Sequence, residues 1–172
     1  MRSSIILIGN PAARGASLRK FESASAFLQE KGFVTKILLT EKSNDATRLA
    51  EEAIRERPYA IIAAGGDGTI NEVINGMVKS DIPLAILPLG TTNVLAKELG
   101  IPEYVKGAME AAVSRKPRTV SLGRIELNPG TDSAFSRFFC LMAGIGFDGK
   151  TVHDINNAVR KSPARLHIYS AA

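Results

Sequence analysis

The stretch "AAGGDGTINEVING", residues 63 to 76, decides how the rest of the chain is read. Three glycines, an aspartate and a threonine lie between an apolar run and an amphipathic one. An apolar run ending in glycines and followed by helical spacing reads as a strand that turns directly into a helix. Glycines at such a turn admit positive φ and let backbone N–H groups approach an anion, and the start of the helix adds partial positive charge. The alternative is a tight turn in which Asp67 only satisfies backbone donors. No Gly-Lys-Ser/Thr follows, so this is not a P-loop, nor does it match the dinucleotide G-x-G-x-x-G pattern.

The flanking sequence repeats the same rhythm. "SIILIG" (4 to 9) is a β-branched run bounded by Asn10 and Pro11, and residues 17 to 32 form a helical pattern with Leu18, Phe21, Ala24 and Leu28 on one face and Gly32 as its stop. Residues 33 to 40 alternate as a strand. Residues 44 to 58 read as a helix capped by Asn44 and ended by Pro58. Strands over 59 to 66 and 82 to 90 bracket a helix over 69 to 80, and helical segments at 92 to 99 and 103 to 115 complete the series.

Strand–helix alternation with short connections implies right-handed crossovers and a parallel sheet covered on both faces. Such sheets bind ligands at the carboxyl ends of their strands. The loops "GNPAARG", "TEKSN", "GGDGT" and "PLGTTN" leave those ends and are expected along one rim. "PLGTTN" (88 to 93) again enters a helix, with Gly90 at the turn and Thr91, Thr92 and Asn93 as hydroxyl and amide partners. Read alone it would be a plain cap. Beside "GGDGT", it favours a phosphate site.

After Pro117 the pattern changes. Residues 118 to 128 alternate, "NPGTDS" (128 to 133) is turn chemistry, and residues 134 to 146 form another strand, which together predict an antiparallel hairpin. The expected organisation is a nucleotide-binding α/β domain over 1–117 and the start of an incomplete β-rich domain over 118–172. Sheet edges left by an incomplete sandwich would invite pairing with a second copy, so a homodimer is expected.

Composition bounds the function. The 172 residues are 45% hydrophobic and 23% charged, which describes a globular chain able to bury a core. The apolar run near the start is too short for a signal-peptide core or a bilayer span, and the single Cys140 fits a reducing compartment; a cytoplasmic protein is expected. Net charge is +5, concentrated in the last third. Without tryptophan, and without basic and aromatic residues interleaved, a nucleic-acid partner is disfavoured. His153 and His167 have no ligand spacing, Asp148 reads as a turn residue, Arg160, Lys161 and Arg165 as a solvated face, and Cys140 as inert packing.

"NP" at 10 and 11, "GGDGTINEVINGM" at 65 to 77 and "PLGTTNVLAKELGIP" at 88 to 102 together resemble the catalytic domain of the diacylglycerol kinase, sphingosine kinase and YegS-like lipid kinase family. "TVSLGRIELN" and "AGIGFDGKTV" resemble the strands that open that family's second, β-sandwich domain. The resemblance implies a Rossmann-like nucleotide-binding domain of the NAD kinase/diacylglycerol kinase type, and ATP- and Mg2+-dependent phosphorylation of a lipid hydroxyl at a membrane surface. By position, Gly65, Gly66, Asp67, Gly68 and Thr69 would contact the phosphates, with Asn71 and Glu72 on the first helical turn. Asn10, Thr40, Thr91, Thr92 and Asn93 would complete the nucleotide site, and Asp67 is the candidate catalytic base or magnesium partner. No metal ligand set is legible. Val94 stands where many members have aspartate, and "NPAARGAS" has one glycine where members often have two. An NAD kinase-like enzyme and an inactive nucleotide-binding domain are the alternatives.

Overall fold

A computed structural model describes residues 3–78, 80–130, 134–143 and 150. The chain divides into two compact units, Met1–Cys140 and Leu141–Ala172. The expectations for residues 144–146, Asp148, His153, Arg160, Lys161, Arg165 and His167 lie outside the described residues.

The first unit is built on four parallel strands, β1 (Ser4–Gly9), β2 (Val34–Leu39), β3 (Ala60–Gly65) and β4 (Leu84–Pro88), in the order β2-β1-β3-β4. Among the described residues five α-helices accompany them: α1 (Leu18–Glu30), α2 (Asp45–Ala53), α3 (Asp67–Met77), α4 (Val94–Glu98) and α5 (Val105–Ser114). This is the Rossmann-like α/β fold the alternation predicts. β1 and β3 are buried along nearly their whole length because both faces are covered, which is why they read as unbroken apolar runs. Successive side chains serve opposite layers. Ile6, Ile8, Ile61 and Ala63 pack with Leu49, Ile70, Val73 and Leu95 from α2, α3 and α4. Ile5, Leu7, Ile62 and Ala64 pack with Phe21, Leu28 and Met109 from α1 and α5.

Helix ends mostly follow local chemistry. Ser17 caps α1, and Gly32 (φ +90°) ends it with Gly32 N–H bonded to Gln29 O and Phe33 N–H to Leu28 O, a Schellman motif. Phe21, Ala24 and Leu28 of the expected face are buried, but Leu18 is exposed, because the first turn extends past the edge of the core. Asn44 does not cap α2: it adopts φ +67° and its side chain makes no cap bond. The helical stretch after it ends early, α2 stopping at Ala53 and continuing only as a 3-10 turn, Ile54–Glu56. In β2 the alternation buries no full set, and Val34, Ile37 and Leu39 remain exposed because β2 is an edge strand. Lys36, paired with Glu56, places charge on that edge.

A two-stranded antiparallel sheet follows, β5 (Gly123–Leu127) and β6 (Phe135–Phe139), registered Gly123 to Phe139 and Leu127 to Phe135. Both strands are shorter than the sequence suggests: residues 118–122 and 140–143 lie outside the ladder. Asn75 of α3 bonds the hairpin on both sides of one peptide group. Asn75 Nδ2 donates to Phe138 O (3.0 Å) while Asn75 Oδ1 accepts Phe138 N–H (2.9 Å), so the amide pairs with a β6 peptide as another strand would.

Candidate nucleotide site

Register brings all four strand ends level: Gly9 lies opposite Leu39 and Ala64, and Gly65 opposite Pro88. The polar loops therefore share one rim. At that rim the loops after β1 and β2 and the start of α3 enclose a cleft of about 550 Å³, lined by Asn10, Thr40, Thr69 and Glu72 among others. A smaller cavity of about 160 Å³ lies along the β4 edge against α5, with Tyr59 and Pro83 in its lining. It contains none of the sequence-derived site residues.

Asn10 opens the cleft. Its backbone N–H continues the ladder to Ala64 O, its Oδ1 accepts Ala12 N–H (2.9 Å), and its Nδ2 donates to Thr69 Oγ1 (3.2 Å). Thr40 is buried, with its N–H on Gly9 O. These two residues and Thr69 thus place an amide and two hydroxyls at one wall, ahead of the α3 N-terminus.

The glycines act differently from the expectation. None of Gly65, Gly66, Gly68 and Gly90 has positive φ; in the rim loops the left-handed conformation falls on Asn44, at φ +67°, and Asn93, at φ +50°. What requires glycine is contact. A Cβ on Gly90 would lie 2.5 Å from Gly66 Cα, and one on Gly65 would lie 2.6 Å from the Thr69 side chain. The two glycine loops therefore touch backbone to backbone, which neither loop reveals by itself.

Helix α3 begins at Asp67, two residues before the expected start, so Asn71 and Glu72 fall in its second turn rather than its first. Asp67 does satisfy backbone donors, in a neighbouring loop. Its Oδ2 accepts Val94 N–H and its Oδ1 accepts Leu95 N–H, both at 3.1 Å, so it caps α4 from 27 residues away. Glu72 does the same for α2: its Oε2 accepts Ala46 N–H (3.3 Å) while its carbonyl accepts Thr47 Oγ1–H (2.9 Å). Two carboxylates on α3 thereby fix the helices on either side of the rim. Asn71 contributes its carbonyl to Asn75 Nδ2 (2.8 Å).

Asn93 faces inward. Its Oδ1 accepts Gly90 N–H (2.8 Å), and its Nδ2 reaches Gly90 O (3.1 Å) and Glu103 Oε1 (3.3 Å), which closes the "LGTTN" loop on itself. Thr91 and Thr92 are exposed at its tip and do not line the cleft. Gly68, also exposed, presents open backbone on the first turn of α3.

Sequence reasoning places the "TEKSN" loop at the rim but draws only Thr40 from it. Glu41, Lys42 and Ser43 line the cleft, and buried Asp45 holds their turn by accepting the N–H groups of Glu41 (2.9 Å) and Lys42 (3.0 Å) on Oδ2. Those backbone donors, first Glu41 and then Lys42, hold the Asp45 carboxyl below its ordinary value. Only an aspartate following "TEKSN" hinted at this turn. Cys140, half-buried just past β6, packs against the core, and burial pushes its thiol up, with a smaller push from the Asp67 charge. A protonated thiol is a poor nucleophile, in keeping with packing rather than reactivity.

No group of three or more His, Cys, Asp or Glu side chains able to hold a metal occurs among the described residues.

A parallel doubly covered sheet with polar loops gathered at its carboxyl rim places the protein in the class of open α/β folds that carry ligand sites at strand ends. The chain belongs to the diacylglycerol kinase catalytic domain family, whose match spans residues 4–125. It is 39% identical over 129 residues to diacylglycerol kinases of Staphylococcus aureus strains JH9 and Newman, covering 73% of this chain and 41% of each relative. A crystal structure of a diacylglycerol kinase from Bacillus anthracis str. Sterne superimposes with a TM-score of 0.62 at 30% identity, over 72% of this chain and 46% of that one. The chain thus spans less than half the length of the relatives it matches. Between the alternatives open from sequence, this membership favours the lipid kinases over the NAD kinases.

Proposed function

We propose that this chain is the nucleotide-binding part of an ATP-dependent lipid kinase, which transfers the γ-phosphoryl group to a lipid hydroxyl, diacylglycerol-like or sphingoid. The observation that carries the reading is the rim cleft, where Asn10, Thr40 and Thr69 converge in front of the α3 N-terminus. Amides, hydroxyls and a helix start suit phosphate oxygens. Gly66, Gly68 and Thr69 would offer backbone N–H groups to the phosphates, with Gly65 setting the turn and Thr91 and Thr92 bordering the outer rim.

Phosphoryl transfer depends on positioning and on neutralising charge. When bound, ATP with Mg2+ supplies the transferable group and its counter-charge. The chain's own part is to hold and orient the phosphates. Asp67 is proposed as the catalytic residue: a carboxylate has about four acceptor sites, and Val94 and Leu95 occupy two. The remainder can take a hydroxyl proton or orient a metal-bound water, with the carboxylate pinned in place.

We further propose a division between a nucleotide-binding segment over 1–117 and the opening of a β-rich segment over 118–172. The change from parallel sheet to antiparallel hairpin supports it, although the compact unit runs on to Cys140 because Asn75 docks the hairpin. A lipid acceptor would bring the protein to the inner face of a membrane from the cytoplasm. None of the described helices is long and apolar enough to cross one. The outer edge of β5, unpaired among the described residues, supports pairing with a second copy.

Calorimetric titration of the folded 172-residue chain with ATP and Mg2+ tests the reading. Binding that Gly66→Val weakens is expected, since a Cβ there would lie 3.2 Å from Gly90 Cα, tighter than ordinary packing. Absence of nucleotide binding by folded protein would sink it.

A further inference from the structure

Phosphates in the cleft would need a counter-charge, and the residues drawn from the sequence supply none. Of those residues, the two that are charged face helix N-termini: Asp67 meets α4 and Glu72 meets α2. Lys42 is the one basic side chain lining the cleft, and its ammonium enters no ion pair among the described residues.

Its backbone is held firmly. Thr40 N–H bonds Gly9 O at 2.9 Å, Asp45 Oδ2 takes the N–H of both Glu41 and Lys42, and Asp45 N–H returns to Lys42 O at 3.3 Å. The turn from 40 to 45 is thus closed at both ends, and the buried Asp45 is its anchor. Lys42 lines the same cleft as Asn10 and Thr69, on a flexible side chain whose backbone is fixed.

We infer that Lys42 is the phosphate-neutralising cation of the cleft and that Asp45 is its positioning residue. This rests on the nucleotide reading above, and it adds a contact to a region from which only Thr40 had been drawn. Lysine suits the task as a mobile point charge that can follow a phosphate. Because Lys42 is exposed, replacing it leaves the fold intact.

The test measures ATP affinity against KCl concentration for wild type, Lys42→Met, Lys42→Arg and Asp45→Asn. One charge-assisted contact predicts that Lys42→Met weakens ATP about tenfold at low salt and flattens the salt dependence. Lys42→Arg should retain both affinity and slope. Asp45→Asn should weaken ATP in the wild-type background and add little to Lys42→Met, as coupled positions do. Unchanged affinity in Lys42→Met, or a loss equal at every salt concentration, overturns the role of Lys42. Equal losses from Asp45→Asn in both backgrounds overturn the positioning role. Failure of the wild type to bind ATP overturns the nucleotide reading itself, and so is told apart from a failure of Lys42 alone.

Discussion

Removing the Asp67 carboxylate should loosen a helix that Asp67 is not part of. In Asp67→Ala, Val94 and Leu95 at the start of α4 lose their shared acceptor, two N–H···O contacts of 3.1 Å. Bonds to a charged acceptor contribute about 1.5–3 kcal/mol each when desolvated, but Asp67 is only half-buried and water can replace it. The net cost is then about 1–2 kcal/mol, the upper range for loss of a helix cap. For a chain of this size that lowers Tm by about 2–8 °C. The decisive readout is hydrogen exchange: the Val94 and Leu95 amides should exchange roughly 5- to 30-fold faster, following the same free energy. Asp67→Asn, which keeps one carbonyl acceptor, should fall between. Unchanged exchange at both amides in Asp67→Ala would refute the tether between the two glycine loops.

Three further outcomes are expected. Gly76→Ala should cost about 1–3 kcal/mol in urea denaturation, because its Cβ would lie 2.4 Å from Thr47 O and 2.7 Å from Ala50 Cβ, where α2 and α3 meet. Asn75→Ala should release the hairpin, seen as faster exchange of the Phe138 amide and about 1–2 kcal/mol lower stability, since both bonds between the amide and that peptide are lost. For Asp45, the folded carboxyl titrates below its ordinary value of 3.8, so its contribution is complete above that value and disappears as pH falls through the depressed one. Asp45→Asn should accordingly flatten the acid limb of stability against pH, measured as urea midpoints from pH 6 downward to about 3.

The α/β architecture was legible because its signals are local. Ile5 to Ile8 and Ala60 to Ala64 are apolar throughout because both faces are covered, and Gly32 marks a helix end by its own conformation. The edge strand β2 misled, since its apolar residues are exposed for a topological reason absent from its sequence. Much the same holds at the rim. "GGDGT" and "PLGTTN" announce strand-to-helix turns, yet the reason for their glycines is the contact between Gly66 and Gly90, far apart in the chain. Asp67, Glu72 and Asn75 each act on a partner 25 to 63 residues away, and no local pattern encodes such pairing. Lys42 and Asp45 were overlooked for the opposite reason: their turn is local, but its place beside Asn10 depends on β2 lying next to β1.

The central claim is that the rim cleft holds a nucleotide, and amide chemical-shift mapping during titration of the 172-residue chain with ATP and Mg2+ tests it most directly. Saturable shifts concentrated at Asn10, Thr40, Lys42 and Gly66 to Thr69 are predicted. The absence of shifts at saturating nucleotide, or shifts confined to the β4–α5 cavity around Tyr59 and Pro83, would contradict it.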